Sequence, residues 1–216
     1  GGFTLLAEAD ISLFQSLGSR AGREQLGLSS LAESALSQTQ VFAFRSRAGE
    51  DASCLNLYRP ERPRLLGVPA ELIDRGGFRF VDVESSPQVE AAADNPWSLL
   101  NLDLGRGTIP VFGDFNSVRW ILHLDLGDRL VLSADTSSEV ELRLVGLLDR
   151  SVFQSELLMS AENFERYFPM ETGYGFFAFD VAPDTDAQQL AADLERDLEG
   201  YGFDVMGAGE RAARFQ

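Results

Sequence analysis

The chain has 216 residues and a mass of 23.7 kDa, with 34 acidic residues against 18 basic ones and a formal net charge of −16. Every basic residue is Arg. Nucleic acids and anionic lipid surfaces are bound by clustered cations, so the composition argues against both as partners. A chain of this length buries roughly 70% of its unfolded surface, so it needs no metal or disulfide to hold a core together.

The only cysteine, Cys54, lies in the apolar run ASCLNLY. A single thiol forms no internal disulfide, and this context predicts a buried, unreactive side chain. No charged start precedes an apolar core, so no signal peptide is predicted, and no apolar run approaches the ~20 residues that cross a bilayer. Because the chain starts at Gly1 rather than Met, we expect a piece of a longer protein.

The first half of the chain mixes helix and strand signals. ADISLFQSLG predicts a helix with Asp10 as its N-cap and an apolar face of Ile11, Phe14 and Leu17. SSLAESAL predicts a second helix with a capping box formed by Ser30 and Glu33. PAELIDRGG predicts a short helix that ends at Gly76, and NPWSLLN predicts a helical turn. Strands are predicted for Thr39–Arg47, Leu65–Val68, FRFVDV and TIPVFGD.

The second half has clearer patterns. NSVRWILHL predicts a short helix with Asn116 as its cap and with Val118, Ile121 and Leu122 on its apolar face. RLVLSA and EVELRLVGLL alternate with period two, as two strands joined by the loop DTSS would. The remaining segments are a strand in ELLM, a helix in SAENFERYF capped by Ser160, a strand in GFFAFDV, a helix in DTDAQQLAADLERDLEG stopped by Gly200, and a strand in GFDVM. The last of these helices has an apolar stripe: Ala187, Leu190, Ala191, Leu194 and Leu198. This β-α-β-α-β order from Glu156 to Met206 predicts helices packed on a sheet.

We therefore predict an α+β fold with two lobes: a C-terminal β-α-β-α-β lobe and a β-rich lobe. The two lobes are expected to form a single domain over residues 1–216.

The only histidine, His123, precedes Asp125 and Asp128 in LHLDLGD. Zinc sites need three or four ligands dominated by His and Cys, and triad chemistry needs a nucleophile as well as a base and an acid. The sequence has one His, a distant Cys54 and no Gly-x-Ser-x-Gly motif. We expect His123 to end the short helix and Gly127-Asp128 to turn the chain into the next strand.

The other candidate sites also have structural explanations. The carboxylate pairs Asp184 with Asp186 and Asp193 with Asp197 are predicted to be solvated at a helix start or on a polar helix face. GRG at residues 105–107 and GYG at residues 173–175 are too short for phosphate loops, and a Walker motif needs a lysine. Three phenylalanines in one run are predicted to be core: Phe176, Phe177 and Phe179. No catalytic residue, cofactor site or metal site is predicted.

The order of segments from Leu122 to Phe168 resembles the extracytoplasmic core domains of FtsX-like ABC-transporter permeases of the macrolide-exporter type. The first shared element is a leucine-rich segment, Gly-Asp and an apolar strand, matched by Leu126, Gly127, Asp128 and Val131. The second is a Val-Val-Gly strand, matched by Leu144, Val145 and Gly146, and a short strand and a helix follow it. Asp51–Pro69 resembles a stretch of a large-permease branch of the same family, and the likeness covers most of residues 40–206.

The resemblance implies a non-catalytic domain on the periplasmic side of the bacterial inner membrane, between two transmembrane helices. It implies that a separate cytoplasmic ATPase subunit and a second permease copy are partners, and that ATP-driven motion reaches a periplasmic lipoprotein or an export substrate. The segment GERAARFQ is expected to lead into a membrane helix, whereas the start of the chain lacks a recognisable first strand.

Two other hypotheses remain open. A Phe-rich cleft between lobes suits a soluble domain that binds a lipid or a peptide. A hydrolase that uses His123 with acidic residues is the third hypothesis.

Overall fold

The computed structural model describes residues 2–49, 63–85, 94–105, 107–135 and 139–213. The chain forms two compact units. One unit consists of Ser46–Glu171, and the other combines Gly2–Arg45 with the chain from Thr172 onward. Cys54, most of the permease-like stretch Asp51–Pro69 and part of the DTSS loop lie outside the described residues.

The unit formed by the two ends of the chain has an antiparallel sheet in the order β10-β1-β9-β2. Its strands are β1 (Leu5–Leu13), β2 (Gln40–Arg47), β9 (Tyr174–Asp180) and β10 (Phe203–Gly207). Its helices are α1 (Arg20–Leu26), α2 (Ser30–Leu36), α5 (Ala187–Asp197) and α6 (Ala208–Ala213), and a 3₁₀ turn spans Glu199–Tyr201.

The core of this unit lies between the sheet and the helices. Leu190, Leu194 and Leu198, which recur every four residues, are buried with Phe177 and Phe179 of β9. This confirms the predicted apolar stripe of α5 and the predicted core role of the phenylalanines. The helix ends at Asp197 rather than at Gly200, because the chain tightens into a 3₁₀ turn that Gly202 closes in the left-handed conformation.

The helix predicted at ADISLFQSLG is wrong, because Leu5–Leu13 is a strand. β1 lies between β10 and β9 and hydrogen-bonds to both, which outweighs the local helical pattern. Ile11 and Phe14, from the predicted apolar face, are exposed, whereas Leu13 and Leu17 are buried. The chain therefore does have a first strand, contrary to the expectation from the sequence.

The unit formed by the middle of the chain has a mixed sheet in the order β3-β8-β5-β7, with β4 and β6 both paired to β7. The pairs β3-β8 and β5-β7 are parallel, and the others are antiparallel. The strands are β3 (Arg64–Val68), β4 (Phe80–Val83), β5 (Thr108–Asp114), β6 (Arg129–Ser133), β7 (Glu139–Leu148) and β8 (Glu156–Ser160).

The helical elements of this unit are α3 (Ala70–Arg75), a 3₁₀ helix (Pro96–Asn101), a π-helical segment (Ser117–Leu122) and α4 (Ala161–Tyr167). The Ser160 hydroxyl accepts a hydrogen bond from the N–H of Asn163, which confirms the predicted cap of α4. Trp97 is fully buried among aromatic rings, and its ring centre lies 5.6 Å from that of Phe112.

The mixed α/β class is confirmed, and so is the β-α-β-α-β order from β8 to β10. The run is divided between the two units, because the chain passes from one to the other between Glu171 and Thr172. Within the described residues, every helix falls short of the length and apolarity that crossing a bilayer requires.

Candidate functional site: the segment from Asp114 to Asp128

The segment between β5 and β6 begins at a buried carboxylate. Asp114 is fully buried, and its Oδ1 accepts hydrogen bonds from the backbone N–H groups of Asn116 at 3.1 Å and Ser117 at 3.5 Å. Its Oδ2 accepts a third, at 2.7 Å, from the N–H of Ser151 in the loop after β7. Three backbone donors replace the water that this charge loses on burial, so Asp114 joins two loops of the unit.

Asn116 occupies the predicted N-cap position of the segment Ser117–Leu122, but its side chain does not cap it. Asn116 has helical backbone angles and makes no side-chain capping hydrogen bond. The carboxylate of Asp114 bonds the N–H groups two and three residues ahead, as Asp does when it starts a helix or an Asx turn. The spacing of Asp114 and Ser117 in the sequence is the signal that could have identified this cap.

The segment that follows has π-helical hydrogen bonding from Ser117 to Leu122. Val118 and Leu122, four residues apart, are buried, whereas Trp120 is 69% exposed and Ile121 is 38% exposed. The sequence placed Ile121 on the apolar face of an α-helix, but the wider π-helical turn leaves it partly outside. Single π-helical turns of this kind often occur at functional positions.

His123 ends this segment. Its backbone is left-handed, with φ 53° and ψ 42°, its N–H bonds to the carbonyl of Val118, and its side chain is exposed. The carboxylate of Asp125 pairs with Arg119, and Asp128 Oδ2 accepts the N–H of Asp125 at 2.8 Å. The predicted role of His123 at the helix end is confirmed. Among the described residues, no group of three or more His, Cys, Asp or Glu side chains could hold a metal ion.

The predicted turn at Gly127-Asp128 is also confirmed. Gly127 has φ 86°, a conformation that favours glycine, and its N–H bonds to the carbonyl of Leu144 at 2.8 Å. The N–H of Leu144 bonds in return to the carbonyl of Asp128 at 3.0 Å. These two bonds extend the β6-β7 ladder into the turn. Gly127 and Asp128 of the first shared element therefore lie next to Leu144 of the second.

An open groove lies beside this segment, with a volume of about 260 Å³. Three charged residues line the groove: Asp82, Arg119 and Asp125. Most of the lining is apolar and comes from β4, the π-helical segment, the turn and β7: Val81, Phe115, Val118, Leu124, Leu126 and Leu147.

The two carboxylate pairs have different environments. Asp184 is exposed, and Asp186 caps α5 by accepting the N–H groups of Gln188 and Gln189 at 3.0 Å. The prediction of solvated charge is wrong for Asp193, which is only 2% exposed and pairs with Arg196 at 2.8 Å.

Asp197 is mostly covered as well, with a side chain that is 10% exposed. It packs against the start of α2, where its Oδ2 accepts the N–H of Ser29 at 2.8 Å. Burial raises the pKa of Asp197, but hydrogen bonds from Ser29 and Arg196 outweigh burial and leave the pKa below its ordinary value.

The predicted capping box of α2 is also wrong, because Ser29 rather than Ser30 is the N-cap. The carboxylate of Glu33 instead accepts two hydrogen bonds from the buried Arg23, at 2.6 Å and 3.0 Å. The hydrogen bond from Arg23 is the main reason that the pKa of Glu33 is lowered.

The glycine pairs and the phenylalanine run have structural roles. Gly105, Gly107 and Gly173 have φ between 70° and 87° and lie in turns, and Arg106 lies outside the described residues. Phe176, Phe177 and Phe179 are fully buried, and the ring centre of Phe176 lies 5.3 Å from that of Phe44.

No protein-family model matches the chain, and no curated protein matches its sequence. The periplasmic region of MacB from Actinobacillus actinomycetemcomitans resembles its structure with a TM-score of 0.44 and 15% identity, over 99% of this chain and 92% of that chain. The extracellular domain of the noncanonic ABC-type transporter YknZ from Gram-positive bacteria does so with a TM-score of 0.41 and 14% identity, over 94% of this chain and 99% of that chain.

A domain assigned to a permease protein from Porphyromonas gingivalis resembles the chain with a TM-score of 0.37 and 11% identity, over 95% of this chain and 87% of that chain. The three descriptions agree with the class that the sequence resemblance names, an extracytoplasmic permease domain. With TM-scores below 0.5 and identities of 15% or less, they are likenesses and do not by themselves place the chain in that class.

Proposed function

We propose that this chain is a non-catalytic extracytoplasmic domain of a bacterial ABC-transporter permease, on the periplasmic side of the inner membrane. The observation that carries the proposal is that the first and last strands of the described residues lie side by side. Leu5 pairs with Gly207 in the β1-β10 ladder, and the N–H of Ala208 bonds to the carbonyl of Thr4 at 3.1 Å. A domain inserted between two neighbouring membrane helices needs its ends to meet in this way.

The residues of the sequence resemblance support the same proposal. The Gly127-Asp128 turn leads into β6, Leu144, Val145 and Gly146 lie in β7, and the short strand β8 and the helix α4 follow. The elements therefore occur in the order that the resemblance implies.

In this proposal the domain relays motion rather than making or breaking bonds. Arg211 of α6 pairs with Glu8 of β1 at 2.6 Å, and its guanidinium lies 5.2 Å from the ring centre of Phe176 in β9. Arg211 is 7% exposed, so its guanidinium is largely shielded from water, whereas the side chain of Glu8 is 33% exposed. A displacement of α6 would thus be passed to two strands of the sheet.

The partners under this proposal are a second permease copy and a cytoplasmic ATPase, joined through membrane helices, and a periplasmic lipoprotein or an export substrate. The first test is the full-length gene product. Its hydropathy should show spans of about 20 apolar residues flanking this region. A gene product without such spans would refute the proposal.

The relay is tested in the complete permease, reconstituted with its ATPase in lipid nanodiscs. Gln38 is exposed on the loop before β2, so Gln38→Cys in a Cys54→Ser background accepts a spin label. We expect the label-to-label distance between copies to change when ATP is bound and to return after hydrolysis. An unchanged distance, in a complex that hydrolyses ATP, would contradict the relay.

A separate purification, of the isolated domain, tests the lipid- or peptide-binding alternative. Native mass spectrometry of the isolated domain should give the mass of the polypeptide alone. A stoichiometric co-purified lipid or peptide would favour the binding domain instead.

A further inference from the structure

We propose that the groove between β4 and the π-helical segment is a docking site for a partner polypeptide that presents a bulky apolar side chain flanked by Arg or Lys. The inference uses only the shape and charge of this surface, so it does not depend on the permease proposal. It assigns an interaction surface to a segment whose histidine and acids have structural roles.

The first argument is the exposure of apolar side chains at this place. Val81 lines the groove and is 48% exposed, and Trp120 and Ile121 lie directly after Arg119, which also lines it. Tryptophan is usually well covered in folded proteins and is enriched among the residues that dominate binding energies. Trp120 is 69% exposed, whereas Trp97 is fully buried.

The second argument is the charge at the rim. Asp82 and Asp125 line the groove, and Asp128 follows in the same turn. Arg119, the cation among the lining residues, is already paired with Asp125. The rim therefore carries net negative charge in a chain whose formal charge is −16, and a basic segment is its electrostatic complement.

The negative charge of the rim also argues against two other occupants, a membrane surface and a second copy of the chain. An anionic lipid surface would be repelled by the acidic rim, and a second copy of the chain would bring an equally acidic surface. The volume of about 260 Å³ suits one or two apolar side chains, and Asp82 and Asp125 place carboxylates at its rim. A polypeptide covers both features, because it inserts a side chain and lays its backbone across the rim.

The structure supplies its own probe for the test. Trp97 is fully buried, and its indole N–H donates to the carbonyl of Gly77 at 2.8 Å, so a ligand at the surface changes mainly the emission of Trp120. The intact chain is titrated with an acetylated, amidated peptide of sequence GRFLRG. Two control peptides replace both Arg by Glu, or Phe-Leu by Gly-Gly.

We expect GRFLRG to shift Trp120 emission to shorter wavelength with saturation, and the shift to weaken as salt rises from roughly 0.05 to 0.5 M. Neither control peptide should bind. Val81→Ser should weaken binding by about fivefold or more. Val131→Ser is the matched control, because Val131 is also an exposed valine (54%) on a strand paired with β7, yet it is not among the residues that line the groove.

The proposal is overturned if GRFLRG does not bind, if the Glu peptide binds equally well, or if the two valine variants lose the same affinity. A Trp120 shift caused by phosphatidylglycerol vesicles would assign the surface to a membrane and would also overturn it. A shift that depends on protein concentration without peptide would assign it to self-association, with the same consequence. Asp82→Asn, at an exposed position, should reduce the salt dependence while circular dichroism shows an unchanged fold.

Discussion

The backbone N–H of Ser29 donates a hydrogen bond to Asp197 Oδ2 at 2.8 Å, and this bond joins the start of α2 to the end of α5. The side chain of Asp197 is 10% exposed, and Arg196 lies 3.2 Å away on its other oxygen. The sequence suggests that Asp197 is a surface charge, but it joins two helices through a hydrogen bond between residues 168 positions apart.

Asp197→Asn should lower the free energy of unfolding by about 1 kcal/mol near pH 7, because the hydrogen bonds lose their charged acceptor. The pKa of Asp197 is lowered in the folded chain, so its stabilising effect is present above the unfolded pKa of about 3.9 and is lost as the pH falls through the folded value. Urea titrations of both proteins between about pH 6 and pH 2.5 measure the difference.

The exposed Asp184→Asn serves as the control for this pair and should change the unfolding free energy little at any pH. A difference between the native chain and Asp197→Asn that stays constant as the pH falls below about 3.9 would show that the charge does not stabilise the junction.

Asp114→Ala should lower the free energy of unfolding by about 3 kcal/mol. It removes a buried carboxylate and leaves three backbone N–H groups, those of Asn116, Ser117 and Ser151, without their acceptor. Chemical denaturation gives the loss, and hydrogen exchange at Ser117 and Ser151 locates it. Asp103→Ala is the control, because it removes an exposed carboxylate that accepts the N–H of Gly105 at 2.9 Å. It should lower the free energy of unfolding by well under half as much as Asp114→Ala does.

Gly146→Ala should destabilise the unit formed by the middle of the chain by about 1–3 kcal/mol. A Cβ at this position would lie 2.8 Å from two ring carbons of Phe112 and 3.2 Å from the ring of Phe80. Phe112 is fully buried, and its ring centre lies 5.1 Å from that of the half-buried Phe80. Thermal unfolding measures the effect. Gly200→Ala is the matched control, because its Cβ would meet no atom within 4 Å, and it should leave the stability nearly unchanged.

Glu195→Ala should make the chain associate with itself. Among the strands of the described residues, β10 lies at the edge of its sheet, and the N–H of Val205 donates to Glu195 Oε1 at 2.9 Å. Loss of that acceptor leaves an edge N–H open to a strand of another molecule. Light scattering coupled to gel filtration should show dimers or larger species for Glu195→Ala.

Glu195→Gln keeps an acceptor oxygen and should remain monomeric if the native chain is monomeric. Equal association of both variants would mean that charge rather than the hydrogen bond protects the edge. The exposed Glu199→Ala removes the same charge nearby and should have no effect.

Sequence patterns predicted the elements whose own residues decide their structure. The period-two alternation of β6 and β7, the apolar stripe of α5, the Ser160 cap of α4 and the Gly127-Asp128 turn all depend on residues within a few positions of each other. Local propensity and local hydrogen bonding are sufficient there.

The tertiary structure decided everything that depends on distant partners. β1 is a strand because it lies between β10 and β9, and Glu33 binds Arg23 rather than the start of its own helix. The covered positions of Asp114 and Asp197 depend on the backbone N–H groups of Ser151 and Ser29, which packing brings to them. The sequence determined which segments could become helices and strands and how acidic the surface would be. Only the packing of distant segments determined which carboxylates are buried, because the free energy of burying a charge depends on partners that the local sequence does not contain.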